Sequence, residues 1–211
     1  MTERGRFITL EGGEGAGKST LARRLGEALE RAGIAVTLTR EPGGSLGADE
    51  IRKLIVRGDA QRWDPLTDTL LILAARSDHV TQTIEPALSA GRWVICDRYT
   101  DSTRAYQVAG AGLDAAVLTR LENATAFPKP DLTLVLDVDP AEGVARSRGA
   151  GLGEDRFERM GRDFHARVRQ SFLDAAKREP ERCVVIGSAQ TKEQVLAAAL
   201  AALRDRLGAR I

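Results

Sequence analysis

A glycine-rich stretch, GGEGAGKST at residues 12–20, has the composition of a phosphate-binding loop. It has the spacing of a P-loop and stands between a strand-like run and a helix-like run, the context that such a loop requires. Glycine lets the backbone turn its N–H groups toward phosphate oxygens, and the N-terminus of the following helix adds positive potential. We therefore expect a nucleoside triphosphate here, with Lys18 at its β- and γ-phosphates and the Ser19 hydroxyl as a ligand of Mg2+. The predicted nucleotide-binding residues are Gly12, Gly13, Glu14, Gly15, Ala16, Gly17, Lys18, Ser19 and Thr20.

Glu14 places negative charge in this loop, and no basic residue occupies the variable positions beside it. The positive charge that phosphoryl transfer requires must then come from elsewhere. The segment RSRGAGLGEDRFER, at about 146–159, has arginines on both sides of three glycines and is predicted to be a mobile lid that closes over the phosphates. Arg148 is our first choice for the catalytic arginine and Arg156 our second, with Arg146 as a further lid cation. The alternative is a loop with solvated charges. We expect the Glu14 side chain to point away from phosphate, toward a lid arginine.

Charged residues after two other strand-like runs could serve an acceptor substrate. Asp97, at the end of RWVICD, is placed to hold Mg2+ through water, and Arg98 could bridge donor and acceptor phosphates. A solvated turn pair is the alternative for these two residues. Glu41, after AVTLTR, could orient an acceptor sugar or a hydrated metal. Arg76 ends the apolar helical stretch DTLLILAA and either reaches solvent or holds a phosphate, and the sequence leaves both open.

Five short apolar runs alternate with longer helix-like segments and must position these residues. The runs are dense in Val, Ile, Leu and Thr without strict polar alternation, which is typical of parallel strands covered on both faces. The predicted strands are 6–11, 35–40, 92–97, 131–138 and 183–187. The predicted helices are 18–32, about 47–58, about 66–90, about 101–126, about 140–178 and about 191–207. The alternation predicts an α/β fold, a single doubly wound domain over residues 1–211 with a five-stranded parallel sheet and helices on both faces.

The composition does not indicate a nucleic-acid or membrane partner. The 211 residues carry 31 Lys and Arg against 30 Asp and Glu, a net charge of +1, so any anion site must be local. No apolar run approaches the ~20 residues of a membrane span, and the first strand begins too early to leave room for a signal peptide. Cys96 and Cys183 lie in strand-like runs and suit buried reduced thiols better than a disulfide. We therefore expect a cytoplasmic protein.

Six segments, in order and spanning residues 6–195, resemble the thymidylate kinase family. They are RFITLEGGEGAGKST, TREPGGSLGADEIRKL, LLILAARSDH, VICDRYTDSTRAYQ, KPDLTLVLDVDPAEGVAR and IGSAQTKEQV. Many families share the P-loop spacing, whereas TREPGG followed by DRYTDSTRAYQ and PDLTLVLDVDP is far more specific. The lid pattern is similar to that of the family's bacterial type, in which the catalytic arginine lies in the lid. The resemblance implies a fold like that of P-loop nucleoside monophosphate kinases. It also implies transfer of the ATP γ-phosphoryl group to dTMP, with Mg2+, giving dTDP for dTTP synthesis in a cytoplasmic homodimer.

The resemblance also implies roles for the residues that match the family's motifs. The implied catalytic residues are Lys18, Asp97, Arg98 and Arg148, with Ser19 and Asp97 at the metal. The implied dTMP site consists of Glu41, Arg52, Ile72, Arg76, Arg98, Thr103, Tyr106 and Gln107.

Within that site each residue has an implied task. The two arginines, Arg76 and Arg98, bind the dTMP phosphate. Thr103 and Gln107 face the thymine edge, to which each can donate and accept hydrogen bonds. Tyr106 packs near the deoxyribose and disfavours a 2′-hydroxyl. The resemblance further implies that Arg52 lines the acceptor pocket, that Glu41 and Asp97 act around the sugar and the metal, and that residues 188–190 border adenine.

Ile72 departs from the family pattern, which commonly has a Phe four residues before Arg76 whose ring lies against thymine. Isoleucine has no flat π-face, so we expect looser binding of dTMP. Two other functions stay open: a kinase for another nucleoside monophosphate or a deoxynucleoside, and a P-loop switch that binds a partner protein. The apolar stretch 66–75 and the helix after Asp101 are the candidate dimer surfaces.

Overall fold

The computed structural model describes residues 4–148 and 156–211, and of Arg148 the main chain only. The described residues form one five-stranded sheet in which every pairing is parallel and the strand order is β2-β3-β1-β4-β5. The strands are β1 (Phe7–Glu11), β2 (Val36–Arg40), β3 (Trp93–Asp97), β4 (Leu132–Asp137) and β5 (Cys183–Gly187). The predicted α/β fold with five parallel strands is confirmed, and each strand lies within the range predicted for it.

Helices cover both faces of the sheet. Successive residues of a strand point to opposite faces, so each strand packs against helices in both layers. Ile8 and Leu10 pack with α1 and α9 on one face, while Phe7 packs with Val94 and Ile84 on the other. The described helices are α1 (Lys18–Arg31), α2 (Leu46–Val56), α3 (Pro65–His79), α4 (Glu85–Ser89), α5 (Thr100–Thr103), α6 (Ala115–Thr125), α7 (Pro140–Arg148), α8 (Arg162–Arg178) and α9 (Lys192–Leu207). None of the described helices is long and apolar enough to cross a membrane.

Two helical segments that were predicted to be continuous contain π-helical turns. One joins α3 to α4 at Val80–Ile84, just before Pro86, whose missing N–H removes one helical hydrogen bond. The other follows α5 at Arg104–Gly110 and carries Tyr106 and Gln107, both buried. Such wide turns often occur at functional sites, and here the second one turns the two side chains inward.

The predicted long helix at about 140–178 is two helices. α7 ends at Arg148 and α8 begins at Arg162. The predicted lid at about 146–159 spans this interruption, and its residues 149–155 lie outside the described residues. Both cysteines are buried and free, as expected from their strand-like runs.

The carboxyl ends of the central strands meet at one edge of the sheet. β1 lies between β3 and β4, with Leu10 in register with Asp97 and with Leu134. Asp97 is also in register with Arg40 at the end of β2. The loops after β1, β2 and β3 therefore converge, and ligands of doubly wound sheets bind at such a crevice.

Candidate active site

The loop after β1 takes backbone conformations that require glycine. Gly12, Gly15 and Gly17 have φ angles of 135°, 62° and 93°. A Cβ atom at Gly12 would lie 2.3 Å from the carbonyl oxygen of Leu136, and one at Gly15 would lie 1.9 Å from that of Gly143. The loop therefore packs directly against backbone from β4 and α7, which fixes its course.

Lys18, the first residue of α1, is buried within the loop. Its Nζ donates to the carbonyl oxygens of Gly13 at 2.8 Å and Gly12 at 3.2 Å. Burial and the nearby charge of Arg98 lower the pKa of Lys18 to about 8. Within the part of the chain that the structure describes, the ammonium group is thus held at the phosphate loop by carbonyl oxygens, which phosphate oxygens can replace.

Ser19 and Asp97 bring together two oxygen ligands at the mouth of the site. The Ser19 hydroxyl donates to Asp97 Oδ2 at 2.6 Å, and this contact is exposed. Among the described residues there is no group of three or more His, Cys, Asp or Glu side chains that could enclose a metal. A hard-oxygen pair of this kind fits an ion that keeps water and phosphate as its other ligands, as Mg2+ does.

Glu14 lies against Arg98 and Tyr106. Its Oε1 accepts from Arg98 Nη2 at 3.0 Å and from the Tyr106 hydroxyl at 2.8 Å. Burial alone would raise the pKa of Glu14, but the charges of Arg98 and Lys18 outweigh it and lower that pKa to about 2. The expectation that Glu14 points toward a lid arginine is therefore corrected, because its arginine partner comes from the turn after β3.

Arg98 connects the phosphate loop to a neighbouring cavity. Its backbone is left-handed, with φ of 71°, and its Nη1 donates to the carbonyl oxygen of Gly12 at 2.9 Å. Its guanidinium carbon lies 4.8 Å from the ring centre of Tyr106. A left-handed non-glycine residue is strained, and strain of this kind is typical of functional sites. The solvated turn pair that was the alternative for Asp97 and Arg98 does not describe this arrangement.

The cavity beside Arg98 is lined by residues from α2, α3, the π-helical turn after α5 and the chain after residue 155. The structure brings all eight residues of the predicted dTMP site to this one cavity: Glu41, Arg52, Ile72, Arg76, Arg98, Thr103, Tyr106 and Gln107. Phe157 also lines it, a residue that the sequence had placed only in the lid.

Arg76 is buried, so the sequence alternative in which it reaches solvent is wrong. Its side chain is 2% exposed and its Nε donates to Glu41 Oε2 at 2.7 Å. Its Nη2 donates to Thr103 Oγ1 at 3.0 Å, and Nη1 has no hydrogen-bond partner among the described residues. A buried donor without a partner, in a side chain that lines a cavity, is suited to a ligand.

Arg156, the second lid candidate, is held away from the phosphate loop. Its side chain is 2% exposed and its Nη1 donates to Asp68 Oδ1 at 2.7 Å and to the carbonyl oxygen of Ile55 at 3.0 Å. Arg146 is exposed and pairs with Glu142 within α7. The side chain of Arg148 lies outside the described residues. In the described part of the lid, Arg156 is therefore buried in the protein, while Arg146 and Arg159 are exposed.

A second cavity opens on the other side of the phosphate loop. It is lined by loop residues and by the chain after β5, including Gly15, Gly17, Thr20, Ser188 and Gln190. The predicted adenine border at 188–190 thus lies next to the phosphate loop. The two cavities, the predicted acceptor cavity beside Arg98 and the predicted nucleotide cavity, flank the loop, with Glu14 and Arg98 in the lining of the predicted acceptor cavity.

Glu11 is a buried residue of the site that the sequence reasoning missed. Its carboxylate accepts from the Tyr99 N–H at 2.8 Å and from the Ser102 hydroxyl at 2.6 Å. Burial and the charge of Asp101 raise the pKa of Glu11 to about 7. It joins the end of β1 to the turn that carries Arg98. The sequence did contain a feature that could have identified Glu11 as a site residue: it is an acidic residue that ends an otherwise apolar run, directly before the phosphate loop.

Comparison with known proteins places the chain in a family. A family profile described as thymidylate kinase matches residues 10–199. A thymidylate kinase of Caulobacter vibrioides is 49% identical over 209 residues, which are 99% of this chain and 100% of that protein. One from Dinoroseobacter shibae is 48% identical and covers 96% of this chain and 98% of its own.

The fold is also similar to that of a solved structure. The crystal structure of thymidylate kinase from Ehrlichia chaffeensis superposes with a TM-score of 0.77 at 35% sequence identity, covering 95% of this chain and 99% of that one. Sequence and fold agree over nearly the whole length, and the chain belongs to the thymidylate kinase family.

Proposed function

We propose that this chain transfers the γ-phosphoryl group of ATP to dTMP, giving dTDP for dTTP synthesis. The observation that carries the proposal is that Arg98 lines the acceptor cavity while donating to Gly12 of the phosphate loop. A donor nucleotide on the loop and an acceptor in the cavity would share this one cation. Phosphoryl transfer depends mainly on positioning and charge neutralisation, which this juxtaposition supplies.

Lys18 and Arg98 are the cations we assign to the reacting phosphates. Lys18 would exchange the carbonyl oxygens of Gly12 and Gly13 for phosphate oxygens. Arg98, held by Glu14 and by the Gly12 carbonyl, would neutralise the acceptor phosphate where it meets the donor. Arg52 lines the same cavity and is anchored by its bond to the Pro42 carbonyl at 2.6 Å. Fixed guanidinium groups act without reorganising during transfer.

Arg76 has a different environment from Arg98. Its hydrogen bond to Thr103 ties it to a residue proposed to face the thymine edge. Its free Nη1 therefore favours contact with an acceptor oxygen of the base over the phosphate contact that the family resemblance had suggested for it. Gln107, buried at the same cavity, completes the polar edge. The Tyr106 hydroxyl donates to Glu14 and is therefore already used. Its ring lines the cavity, and we still propose that this ring packs near the deoxyribose.

We assign Ser19 and Asp97 to Mg2+. Their oxygens lie 2.6 Å apart, at the exposed end of the phosphate loop. When bound there, Mg2+ would neutralise charge on the phosphates of ATP. The protein's own part is to hold the two oxygens at the end of β3 and the start of α1.

The variable positions of the phosphate loop contain no basic residue, so another cation must neutralise the phosphoryl group during transfer. We assign this cation to the lid. Arg148 stays our first choice, because it ends α7, which packs against the phosphate loop at Gly143 and Gly15. Arg156 is the weaker candidate, because freeing it would break its buried ion pair with Asp68. We also propose that residues 1–211 form a single kinase domain, of which the lid at about 146–159 is a part.

We further propose a homodimer and a cytoplasmic location. Leu66 and Leu70 are 43% and 47% exposed, one helical turn apart on α3, and Leu54 on the contacting helix α2 is 40% exposed. Such a set of exposed leucines fits an interface between two copies. The two free cysteines fit a reducing compartment.

The test is an ADP-release assay with ATP, Mg2+ and a panel of acceptors: dTMP, dUMP, UMP, AMP and thymidine. We expect the highest kcat/KM with dTMP. Faster turnover of AMP, UMP or thymidine would replace the proposal by a kinase for that acceptor. ATP hydrolysis that no acceptor accelerates would indicate a P-loop switch.

A further inference from the structure

The acceptor cavity is backed by an ion pair that the proposed mechanism does not use. Asp68, on α3, accepts from Arg156 Nη1 at 2.7 Å through Oδ1 and from Gln107 Nε2 at 3.2 Å through Oδ2. The side chains of Asp68 and Arg156 are 5% and 2% exposed, and Gln107 is buried as well. The carboxylate thus lies between Arg156, a cation from the lid segment, and an amide that lines the cavity.

This pairing determines which end of the Gln107 amide faces the cavity. A carboxylate only accepts hydrogen bonds, so Gln107 must present its NH2 group to Asp68. Its Oε1 then points elsewhere, and this buried oxygen has no hydrogen-bond partner in residues 4–148 and 156–211. A buried, unpaired amide oxygen is costly, so it is suited to accept from a donor on the ligand.

We propose that Asp68 is a positioning residue that sets the base specificity of the acceptor site through Gln107. The inference rests on the proposed function, because it takes the base to lie in this cavity. Gln107 Oε1 accepts from a pyrimidine with an N–H group at N3, as in thymine and uracil. Cytosine carries an acceptor at N3, so two acceptors would face each other without a hydrogen atom between them. Arg156 holds Asp68 from the opposite side.

Asp68→Asn reverses this logic and provides the test. Arg156 can only donate, so the new amide must give its oxygen to Arg156 and its NH2 group to Gln107. Gln107 would then turn its own NH2 group toward the base. The assay compares kcat/KM for dTMP and 5-methyl-dCMP, which share the sugar, the phosphate and the methyl group but differ at N3 and C4.

We expect the ratio of kcat/KM for dTMP over 5-methyl-dCMP to fall at least about tenfold, because the site would no longer match the N3–H group. The loss should appear mainly as a higher KM for dTMP with kcat little changed, since a contact with the base is felt equally in the ground and transition states. A merely structural role for Asp68 would lower both efficiencies together and leave the ratio unchanged.

Asp68→Glu is the matched control, because it keeps a group that only accepts, and it should retain the wild-type ratio. Should Asp68→Asn fail to fold in a thermal melt, the double variant Asp68→Leu/Arg156→Met removes both the carboxylate and its cation, leaves Gln107 without the acceptor that orients it, and should also lower the ratio. A wild-type ratio in a folded Asp68→Asn protein or in the folded double variant overturns the inference alone. A wild-type protein that does not phosphorylate dTMP overturns the proposed function and the inference with it.

Discussion

Glu14 and Arg98 form an ion pair between the phosphate loop and the turn after β3, with 3.0 Å between Glu14 Oε1 and Arg98 Nη2. Their side chains are 19% and 15% exposed, so water screens the pair only partly. The carboxylate that stood out in a phosphate loop therefore holds a cation at the entrance to the acceptor cavity. Glu14 faces away from the predicted nucleotide cavity, whose described lining does not include it.

Glu14→Gln should destabilise the protein in a pH-dependent way. The pKa of Glu14 is lowered from 4.5 to about 2 in the fold, so the stability that its charge contributes is present above pH 4.5 and is lost as the pH falls toward 2. We expect the variant to melt below the wild type at pH 7 and to approach it near pH 3. Thermal melts of both proteins at pH 7 and pH 3 test this prediction. An equal difference in melting temperature between variant and wild type at the two pH values would contradict it.

Lys18→Ala should abolish transfer while the fold is kept. Lys18 bonds to loop carbonyl oxygens and its removal deletes positive charge at the reacting phosphates, for which a loss of about 10²–10³-fold or more in turnover is expected. Turnover with ATP and dTMP is measured beside a thermal melt. Lys53→Ala, which removes an exposed lysine paired with Glu50, is the control. Activity of Lys18→Ala within tenfold of the wild type would refute the P-loop assignment.

The lid prediction separates two arginines. Arg148→Ala should lower kcat by about 10³-fold with little change in the KM for dTMP, as expected for an arginine that acts only in the transition state. Arg156→Ala should instead lower the melting temperature, since it leaves Asp68 buried without its cation. Arg206→Ala, which removes an exposed arginine paired with Glu181 on a surface away from both cavities, is the control. A large loss of kcat in Arg156→Ala alone would move the catalytic role to Arg156.

Ile72→Phe should tighten the binding of dTMP. Ile72 lines the acceptor cavity, and an aromatic ring there would add stacking that isoleucine lacks. Allowing for the apolar contact already made, we expect a gain of about 1 kcal/mol, or about a fivefold lower KM, with kcat nearly unchanged.

Phe157 provides the control for that experiment. Its ring lines the same cavity and meets Tyr106 edge to face, with 5.4 Å between ring centres. If Phe157 already covers the base, Ile72→Phe leaves the KM unchanged and Phe157→Ala raises it. A preference of the wild type for a different base would be the more serious result, because it would favour another kinase activity.

Glu11→Gln should flatten part of the pH dependence of stability. The pKa of Glu11 is raised from 4.5 to about 7, so its contribution to stability is full below pH 4.5 and is lost as the pH rises through 7. The variant, which does not ionise, should gain in melting temperature relative to the wild type between pH 4.5 and 7 and level off above. If the melting temperature of the variant relative to the wild type instead fell between pH 4.5 and 7, Glu11 would ionise readily in the folded protein.

Local sequence determined the framework of this protein. Runs such as 183–187 were predicted with their observed bounds, because dense β-branched and apolar residues between helix-like segments leave few alternatives to buried parallel strands. The phosphate loop was equally predictable, because its glycine spacing and its flanking elements are contiguous in the chain. The eight residues of the predicted dTMP site were taken from motifs, and the fold brings them to one cavity.

Only the tertiary structure decided how these residues are paired. Glu14 and Arg98 are 84 residues apart and Asp68 and Arg156 are 88 apart, so no local pattern indicates either ion pair. The π-helical turn that buries Tyr106 and Gln107 was likewise hidden, because a single widened turn keeps the helical periodicity of its neighbours. Periodicity and glycine spacing are properties of neighbouring residues, whereas charge pairing in a low-dielectric interior depends on which distant elements the fold packs together.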